Sequence, residues 1–265
     1  MMKTHVEKIK RKPWSREESI IAFNLYCKIP FSKIHFKHPD ITELARILGR
    51  TPSAVALKLV NYASLDPALQ KRNISGMKHG SKRDKEIWDE FYGNPEALAY
   101  ESEVLLAHRK KEPVEKSAMI NLDDLPTEGK EREALIKARV NQSFFRSIIL
   151  TSYENKCCIT GLSVPELLVA SHIIPWSVDE KKRMSPQNGI CLNMLHDKAF
   201  DKGFITITPE YKVKVSPYLA GIKDKTALEI FFIPFENKPI RLPQRFFPDK
   251  AFLKYHNENI FRLKL

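Results

Sequence analysis

The sequence predicts an α+β protein, with an all-helical N-terminal region followed by a domain of short strands around a compact helix. Apolar residues recur at helical spacing through the first hundred residues. That spacing is lost between 110 and 130, where Pro, Gly and paired acidic residues interrupt it. Short β-like runs then appear from about residue 167. We therefore expect a helical region over 1–109, a linker over 110–130 and an α+β domain over 131–265.

Composition and charge favour an anionic partner. The chain has 265 residues and a formal net charge of +12, and double-stranded nucleic acid is the commonest large anionic partner of such a chain. The alternative is a protein that is simply basic. The Lys-rich start lacks the apolar segment of a secretory signal, and no apolar run is long enough for a bilayer. Four cysteines, two of them adjacent, do not form a disulfide framework. The sequence predicts a cytoplasmic protein without membrane contact.

Three helices are predicted at the start of the chain. Ser15 and Glu18 form a capping box before an apolar stretch that Ile29-Pro30 ends. A second helix begins near Asp40 and carries its apolar residues at helical spacing up to Gly49, which is a C-terminal capping residue. Thr51 caps a third helix. The short joint between the last two helices resembles a helix-turn-helix of the three-helix, Myb-like type.

In such a unit the third helix enters the major groove of DNA. Its predicted outward residues are Ser53, Leu57, Lys58 and Asn61, with Arg50 at the approach. Lys and Asn side chains contact phosphates or bases in that position. The alternative is a plain helical bundle whose polar face is only solvated.

Further helix follows the three-helix unit. One segment carries Trp88 and Phe91, which are either a dimer surface or ordinary core, and a long helix is predicted from about Glu131 to Tyr153. The strands are predicted at Leu167 to Ile174, Ile190 to Leu192, and in a hairpin of 204–208 with 212–215. A compact helix over about 195–202 separates the second strand from the hairpin.

Four polar residues stand out in this last part. His172 ends the first strand, Asn188 precedes Gly189 at the start of the second, and Asp197 and Asp201 share one helix face at i and i+4. Each alone has an ordinary structural reading. Two carboxylates at that spacing repel unless a cation lies between them, and carboxylate oxygens suit Mg²⁺ or Mn²⁺.

Together these residues resemble the HNH nuclease motif, a ββα-metal fold. His172 matches the first His, Asn188 the central Asn, and Asp197 and Asp201 the metal-binding positions nine and thirteen residues beyond it. The resemblance runs from about Ala134 to the C-terminus, and the front half resembles the helical regions of bacterial restriction endonucleases with an HNH domain.

The resemblance implies a metal-dependent DNA endonuclease. His172 would take a proton from water, and Asn188 would orient the imidazole or brace the loop between the strands. A divalent metal, Mg²⁺ before Mn²⁺ or another transition metal, would bind Asp197 and Asp201. Three basic residues would hold flanking phosphates unless they are only solvated: Arg183, Lys198 and Lys202.

Two departures and one absence qualify the match. Many HNH enzymes have a metal ligand immediately before the His, where this chain has Ser171. His196 lies beside Asp197 and is the alternative metal ligand if the helix is rotated. Cys157 and Cys158 are adjacent rather than in Cys-x-x-Cys pairs, so we expect no structural zinc.

Three functions are compatible with these features. The favoured one is a restriction-type enzyme, site-specific or modification-sensitive, acting on double-stranded DNA as a homodimer by analogy. The alternatives are a non-specific defence or toxin DNase, and a DNA-binding regulator whose nuclease fold has decayed.

Overall fold

The computed structural model describes residues 12–71, 73, 81–221 and 225–262. The basic N-terminal segment 1–11, which belongs to the predicted helical region, lies outside the described residues. None of the helices in the described part of the chain combines the length and the apolar character needed to cross a bilayer.

The chain is mostly helical, with two small antiparallel sheets. The helices of the front half precede every strand: α1 Arg16–Lys28, α2 Pro39–Leu48, α3 Pro52–Ala63, α4 Pro67–Gln70, α5 Lys82–Phe91, α6 Pro95–Lys110 and α7 Val114–Ser117. The second half mixes helices and strands: α8 Lys130–Ser152, β1 Leu168–His172, β2 Gly189–Asn193, α9 Met194–Asp201, β3 Ile205–Ile207, β4 Val213–Val215, α10 Lys225–Phe231 and α11 Lys250–Asn259. This order confirms a helix-rich α+β protein.

The capping residues predicted from the sequence define the first helices. Ser15 and Glu18 form both bonds of the capping box of α1, and Thr51 caps α3. Gly49 ends α2 in the left-handed conformation, at φ 62°, that glycine adopts without strain. The start of α2 differs slightly from the prediction, because His38 is its N-cap and accepts from the Asp40 amide.

The helix α1 forms the centre of the front half. It packs against α2, α3, α5 and α6, and it also contacts α8 of the second half. Trp88 and Phe91 of α5 are 7% and 2% exposed and belong to this core. The predicted dimer surface through these two aromatic residues is therefore wrong, and their alternative reading as core is confirmed.

The segment 110–130 contains the short helix α7, which packs on α6. Its contacts include a hydrogen bond from the Ser117 hydroxyl to Glu103 and an ion pair between Glu115 and Arg132. The predicted division into a helical region, a linker and a nuclease domain stays a prediction.

A buried arginine joins the two halves. Arg245, 2% exposed, donates to the main-chain carbonyls of Tyr26, Cys27 and Ile29 at the end of α1. Its guanidinium carbon lies 4.6 Å from the centre of the Tyr26 ring. The carbonyls at a helix C-terminus lack partners within the helix, so this arginine supplies them from the other half of the chain.

Candidate active site

The strands β1 and β2 and the helix α9 form a ββα unit. The two strands are antiparallel, and the register pairs His172 with Gly189 and Leu168 with Asn193. Asn193 is both the last residue of β2 and the N-cap of α9, so the helix begins directly where the strand ends. The long helix α8 packs against both strands.

His172 is held on three sides. Its Nε2 lies 2.9 Å from the main-chain oxygen of Arg183, its ring stacks on Phe145 at 4.2 Å with an interplanar angle of 5°, and Trp176 meets it edge-on at 5.5 Å. A carbonyl oxygen only accepts, so Nε2 carries the proton in the neutral ring and Nδ1 is the acceptor. Within the described chain, Nδ1 makes no hydrogen bond.

The surroundings of His172 favour the neutral imidazole. Burial lowers its pKa below the ordinary value, against the opposing influence of the Arg183 carbonyl and the charge of Asp197. A neutral ring with a free Nδ1 is the form that a general base requires.

Asn188 braces the loop between the strands. It is 1% exposed; its Oδ1 accepts from the Ile174 amide at 2.8 Å, and its Nδ2 donates to the carbonyls of Ile174 and Lys182. None of its described bonds reaches the imidazole. Of the two roles expected from the sequence, the geometry therefore favours bracing, one residue away from the carbonyl that binds His172.

Asp197 and Asp201 lie one helical turn apart on α9. Partial burial raises the pKa of both carboxyls, and the charge of Asp201 contributes to the increase at Asp197. Lys198 acts in the opposite direction on both. Two neighbouring carboxylates with raised pKa values form a site at which a cation would be stabilised.

Ser171 adds a polar group to the same place. Its side chain is 2% exposed, and its hydroxyl has no well-formed hydrogen bond with the described residues. The hydroxyl nevertheless lies close enough to Asp197 to oppose the increase in the pKa of that carboxyl. Buried hydroxyls are normally paired, so the Ser171 hydroxyl is available to Asp197 or to a ligand of that carboxylate. The donor set of two carboxylates and one hydroxyl suits a hard, partly hydrated cation.

His196 turns away from this site. It is 2% exposed; its Nδ1 accepts from Asn193 Nδ2 at 3.0 Å, and its Nε2 donates to the Phe231 carbonyl at 2.8 Å. Both ring nitrogens are occupied. The alternative in which His196 is the metal ligand is therefore wrong, because the helix turns it by about 100° from Asp197 into the core.

The cysteines are buried thiols. Cys157, Cys158 and Cys191 are each 0% exposed and free. Burial alone would raise the pKa of Cys157, but polar contacts with His196 and Thr160 outweigh it and lower that pKa to about 7. In the part of the chain that the structure describes, no group of three His, Cys, Asp or Glu side chains is arranged to hold a metal ion.

The predicted DNA-binding residues of the front half are occupied in the core. Lys58 is 3% exposed and paired with Asp84, and Asn61 Nδ2 donates to the same carboxylate at 3.1 Å. The side chain of Arg50 is 8% exposed and forms an ion pair with Glu18 at 2.7 Å. The prediction that these side chains face outward is wrong, because α5 and α1 supply acidic partners that cover them.

The outward part of α3 is Ser53 and Leu57, which are exposed. Neither carries a charge. A DNA-reading role of the third helix through Lys58 and Asn61 therefore has no available donor in the described structure.

The predicted phosphate contacts of the second half differ from one another. Lys198 and Lys202 are exposed on α9 and just after it, where solvent and ligands reach them. Arg183 lies in the loop between β1 and β2 and is bonded within that loop. The sequence did not predict that the Arg183 carbonyl binds His172, because every residue type has a main-chain carbonyl. The sequence analysis also did not predict that Phe145 of α8 stacks on His172.

The ββα unit brings together a half-buried histidine, a loop-bracing asparagine and two carboxylates one helical turn apart. Comparison with protein families agrees, since residues 157–208 match the family described as HNH endonuclease. This segment is an HNH endonuclease domain, and the resemblance inferred from the sequence is confirmed. Comparison with curated proteins gave no match. The chain therefore carries a nuclease domain that acts on nucleic acid.

Proposed function

We propose that the protein is a metal-dependent DNA endonuclease of restriction type, in which His172 is the general base. The observation that carries the proposal is the imidazole itself. Its Nε2 is committed to the Arg183 carbonyl, its Nδ1 makes no hydrogen bond with the described residues, and the charge of Asp197 on α9 acts on the ring. This arrangement suits removal of a proton from a water molecule next to a scissile phosphate.

The chain's own groups divide the work at the site. Phe145 and the Arg183 carbonyl fix the ring plane and the tautomer, so that Nδ1 receives the proton at a defined position. Asn188 holds the loop that supplies the carbonyl. The exposed Lys198 and Lys202 would neutralise flanking phosphates of a bound duplex. His172 therefore requires no rearrangement of its partners before proton transfer.

Asp197 and Asp201 would hold the divalent cation, with the Ser171 hydroxyl beside them. Such an ion, Mg²⁺ by the oxygen chemistry of these ligands, supplies charge stabilisation to a phosphate undergoing hydrolysis. Two protein carboxylates leave most of the coordination sphere to water and substrate. That is the usual manner in which Mg²⁺ binds at phosphate sites.

The restriction-type reading goes beyond the nuclease domain. The net charge of +12 and the helical front half, fastened to the nuclease half through Arg245, support a role of the front half in targeting DNA. A dimer, one subunit for each strand, is proposed by analogy alone. The helix-turn-helix-like order of α2 and α3 remains part of the proposal, although the core position of Lys58 reduces its support.

Cleavage of supercoiled plasmid tests the proposal. Purified protein is assayed with Mg²⁺, with Mn²⁺ and with EDTA, beside His172→Ala and a control variant of the exposed His108. Metal-dependent fragments that vanish only in His172→Ala are expected, with a loss on the order of 10²- to 10⁴-fold in rate. Full cleavage by His172→Ala would contradict the assignment of the base.

The same digest separates the remaining functions. Discrete bands support a site-specific enzyme, and a smear supports a non-specific defence nuclease. DNA binding without cleavage under any metal, on methylated and unmethylated plasmid, supports a regulator. Nicked circles that persist before linear product indicate a single-strand cut by one subunit, whereas direct linear product supports the dimer.

A further inference from the structure

The loop between β1 and β2 determines what touches His172. The Arg183 carbonyl binds Nε2 at 2.9 Å, and the Trp176 indole meets the ring edge at 5.5 Å. These two residues lie near opposite ends of the same loop. The position of the imidazole therefore depends on how firmly Trp176 and Arg183 are held relative to each other.

The side chain of Arg183 makes that connection. Its Nε donates to the Trp176 carbonyl at 2.6 Å, and its guanidinium carbon lies 5.0 Å from the centre of the Trp176 ring. A terminal nitrogen of the same group pairs with the exposed Glu180 at 3.2 Å. The Arg183 side chain thus links the main-chain segment that accepts from His172 to Trp176, which packs against the edge of the imidazole.

The opposite side of the loop is fastened by Asn188, whose Nδ2 donates to the Lys182 carbonyl at 3.3 Å. The carbonyl that holds His172 is the next one along the chain. It lies between the asparagine brace on one side and the arginine side chain on the other. Main-chain bonds within the loop, such as that from the Arg183 amide to the Glu180 carbonyl, do not reach Trp176. Losing the arginine side chain would therefore remove its hydrogen bond to the Trp176 carbonyl while the Asn188 brace remains.

We propose that Arg183 is a positioning residue for His172, acting through the bond from its Nε to the Trp176 carbonyl, and is not a phosphate contact. The proposal rests on the proposed function, in which His172 is the base. A phosphate contact would use the fork of guanidinium nitrogens, but the Nε edge is already bonded within the loop and another nitrogen is paired with Glu180.

Two substitutions give opposite expectations for the two roles. In Arg183→Gln the amide nitrogen occupies the place of Nε along the side chain, so the donor to Trp176 is kept while the charge is lost. In Arg183→Lys the charge is kept, but a carbon occupies that place and the ammonium lies one bond further out. If Arg183 positions His172, the glutamine variant should be the more active of the two. If Arg183 contacts a phosphate, the lysine variant should be the more active, because its ammonium still binds phosphate as a point charge.

The first readout separates kcat from KM in plasmid cleavage over a salt series. We expect Arg183→Lys to lose about 10- to 100-fold in kcat, because a base displaced by a fraction of an ångström transfers protons poorly, with KM and salt dependence unchanged. Arg183→Gln should retain kcat within about twofold, given the retained donor. Lys181→Ala, which removes a charge from an exposed neighbour, should retain kcat as the matched control.

The second readout does not depend on cleavage. The ¹⁵N shifts of the imidazole, assigned with His172→Gln, report which nitrogen carries the proton. We expect protonated Nε2 in the wild type and in Arg183→Gln, and a mixture of tautomers in Arg183→Lys. Circular dichroism establishes that each variant is folded.

The outcomes distinguish this inference from the proposed function. If the wild type fails to cleave, the proposed function fails, and the tautomer comparison alone decides the role of Arg183. An unchanged tautomer in Arg183→Lys overturns the inference whatever the cleavage rate. A second outcome also overturns the inference. If Arg183→Lys retains kcat while Arg183→Gln shows a raised KM and a salt slope reduced by about one, Arg183 contacts a phosphate. Equal loss of kcat in both variants also overturns it.

Discussion

Replacing Lys58 by Met tests whether this residue stabilises the fold or binds DNA. The Lys58 side chain is 3% exposed, forms an ion pair with Asp84 that is 1% exposed, and lies 4.9 Å from the centre of the Trp14 ring. Burial lowers the pKa of Lys58, and the pairing with Asp84 opposes this shift. The neighbouring carboxylate thus favours the charged ammonium, which burial disfavours.

The expected magnitude follows from the group left behind. Methionine fills a similar length without the charge, so in Lys58→Met the Asp84 carboxylate keeps Asn61 Nδ2 at 3.1 Å but loses its cation. Breaking a buried ion pair by removing one partner costs about 3–5 kcal/mol. The double variant Lys58→Met with Asp84→Leu removes both charges. It should recover most of the loss, because an apolar pair needs no compensation.

Urea unfolding at pH 7 measures these differences. Arg46→Met is the matched control, since Arg46 is 73% exposed and, among the described residues, pairs with its helical neighbour Glu43. Its unfolding midpoint should match the wild type. DNA affinity is measured over a salt series on the same proteins. If the free energy of unfolding of Lys58→Met lies within about 1 kcal/mol of that of the wild type, the loss is smaller than a broken buried pair requires, and the reasoning is refuted. A salt slope lower by about one would then show that Lys58 contacts DNA after all.

Two further changes probe the second half. Burial lowers the pKa of His256, stacked on Phe200, to about 4. In the unfolded chain His256 regains its ordinary pKa of about 6.5 and binds a proton that the folded chain does not bind until about pH 4. The free energy of unfolding should therefore fall by about 3 kcal/mol as the pH falls from 7 toward 4. This loss should be absent in His256→Phe, and urea unfolding at a series of pH values measures it. In Gly189→Ala the new Cβ would meet Ile149 and lie 2.8 Å from Phe145 Cζ. A loss of about 1–3 kcal/mol and a lower kcat are expected; unchanged calorimetric and kinetic values would contradict this packing.

Local signals predicted the helices well. Ser15 with Glu18, Gly49 and Thr51 act within a few residues of themselves, so the capping geometry is written in the nearby sequence. The burial of Lys58, by contrast, could not be predicted from nearby residues. Its partner Asp84 lies 26 residues further along, on α5, and no local pattern reports which helix will cover that face.

The same distinction applies within the site. The spacing of Asp197 and Asp201 placed them correctly on one turn of α9, because helical periodicity is local. The two readings of His196 could not be separated from sequence, since one residue of helix rotation decides between metal and core. The Phe231 carbonyl that settles its position lies 35 residues away.

The state of the base depends on groups outside the motif that identifies the domain. The family match begins at residue 157, after the end of α8, so it does not include Phe145, on which the imidazole stacks. It does include Arg183, but what this residue contributes to His172 directly is a main-chain oxygen, which any residue type would supply. The motif therefore identifies the side chains that we propose for the chemistry. The packing of α8 and the bonding of one loop specify the tautomer and orientation of His172, and these arise only in the folded chain.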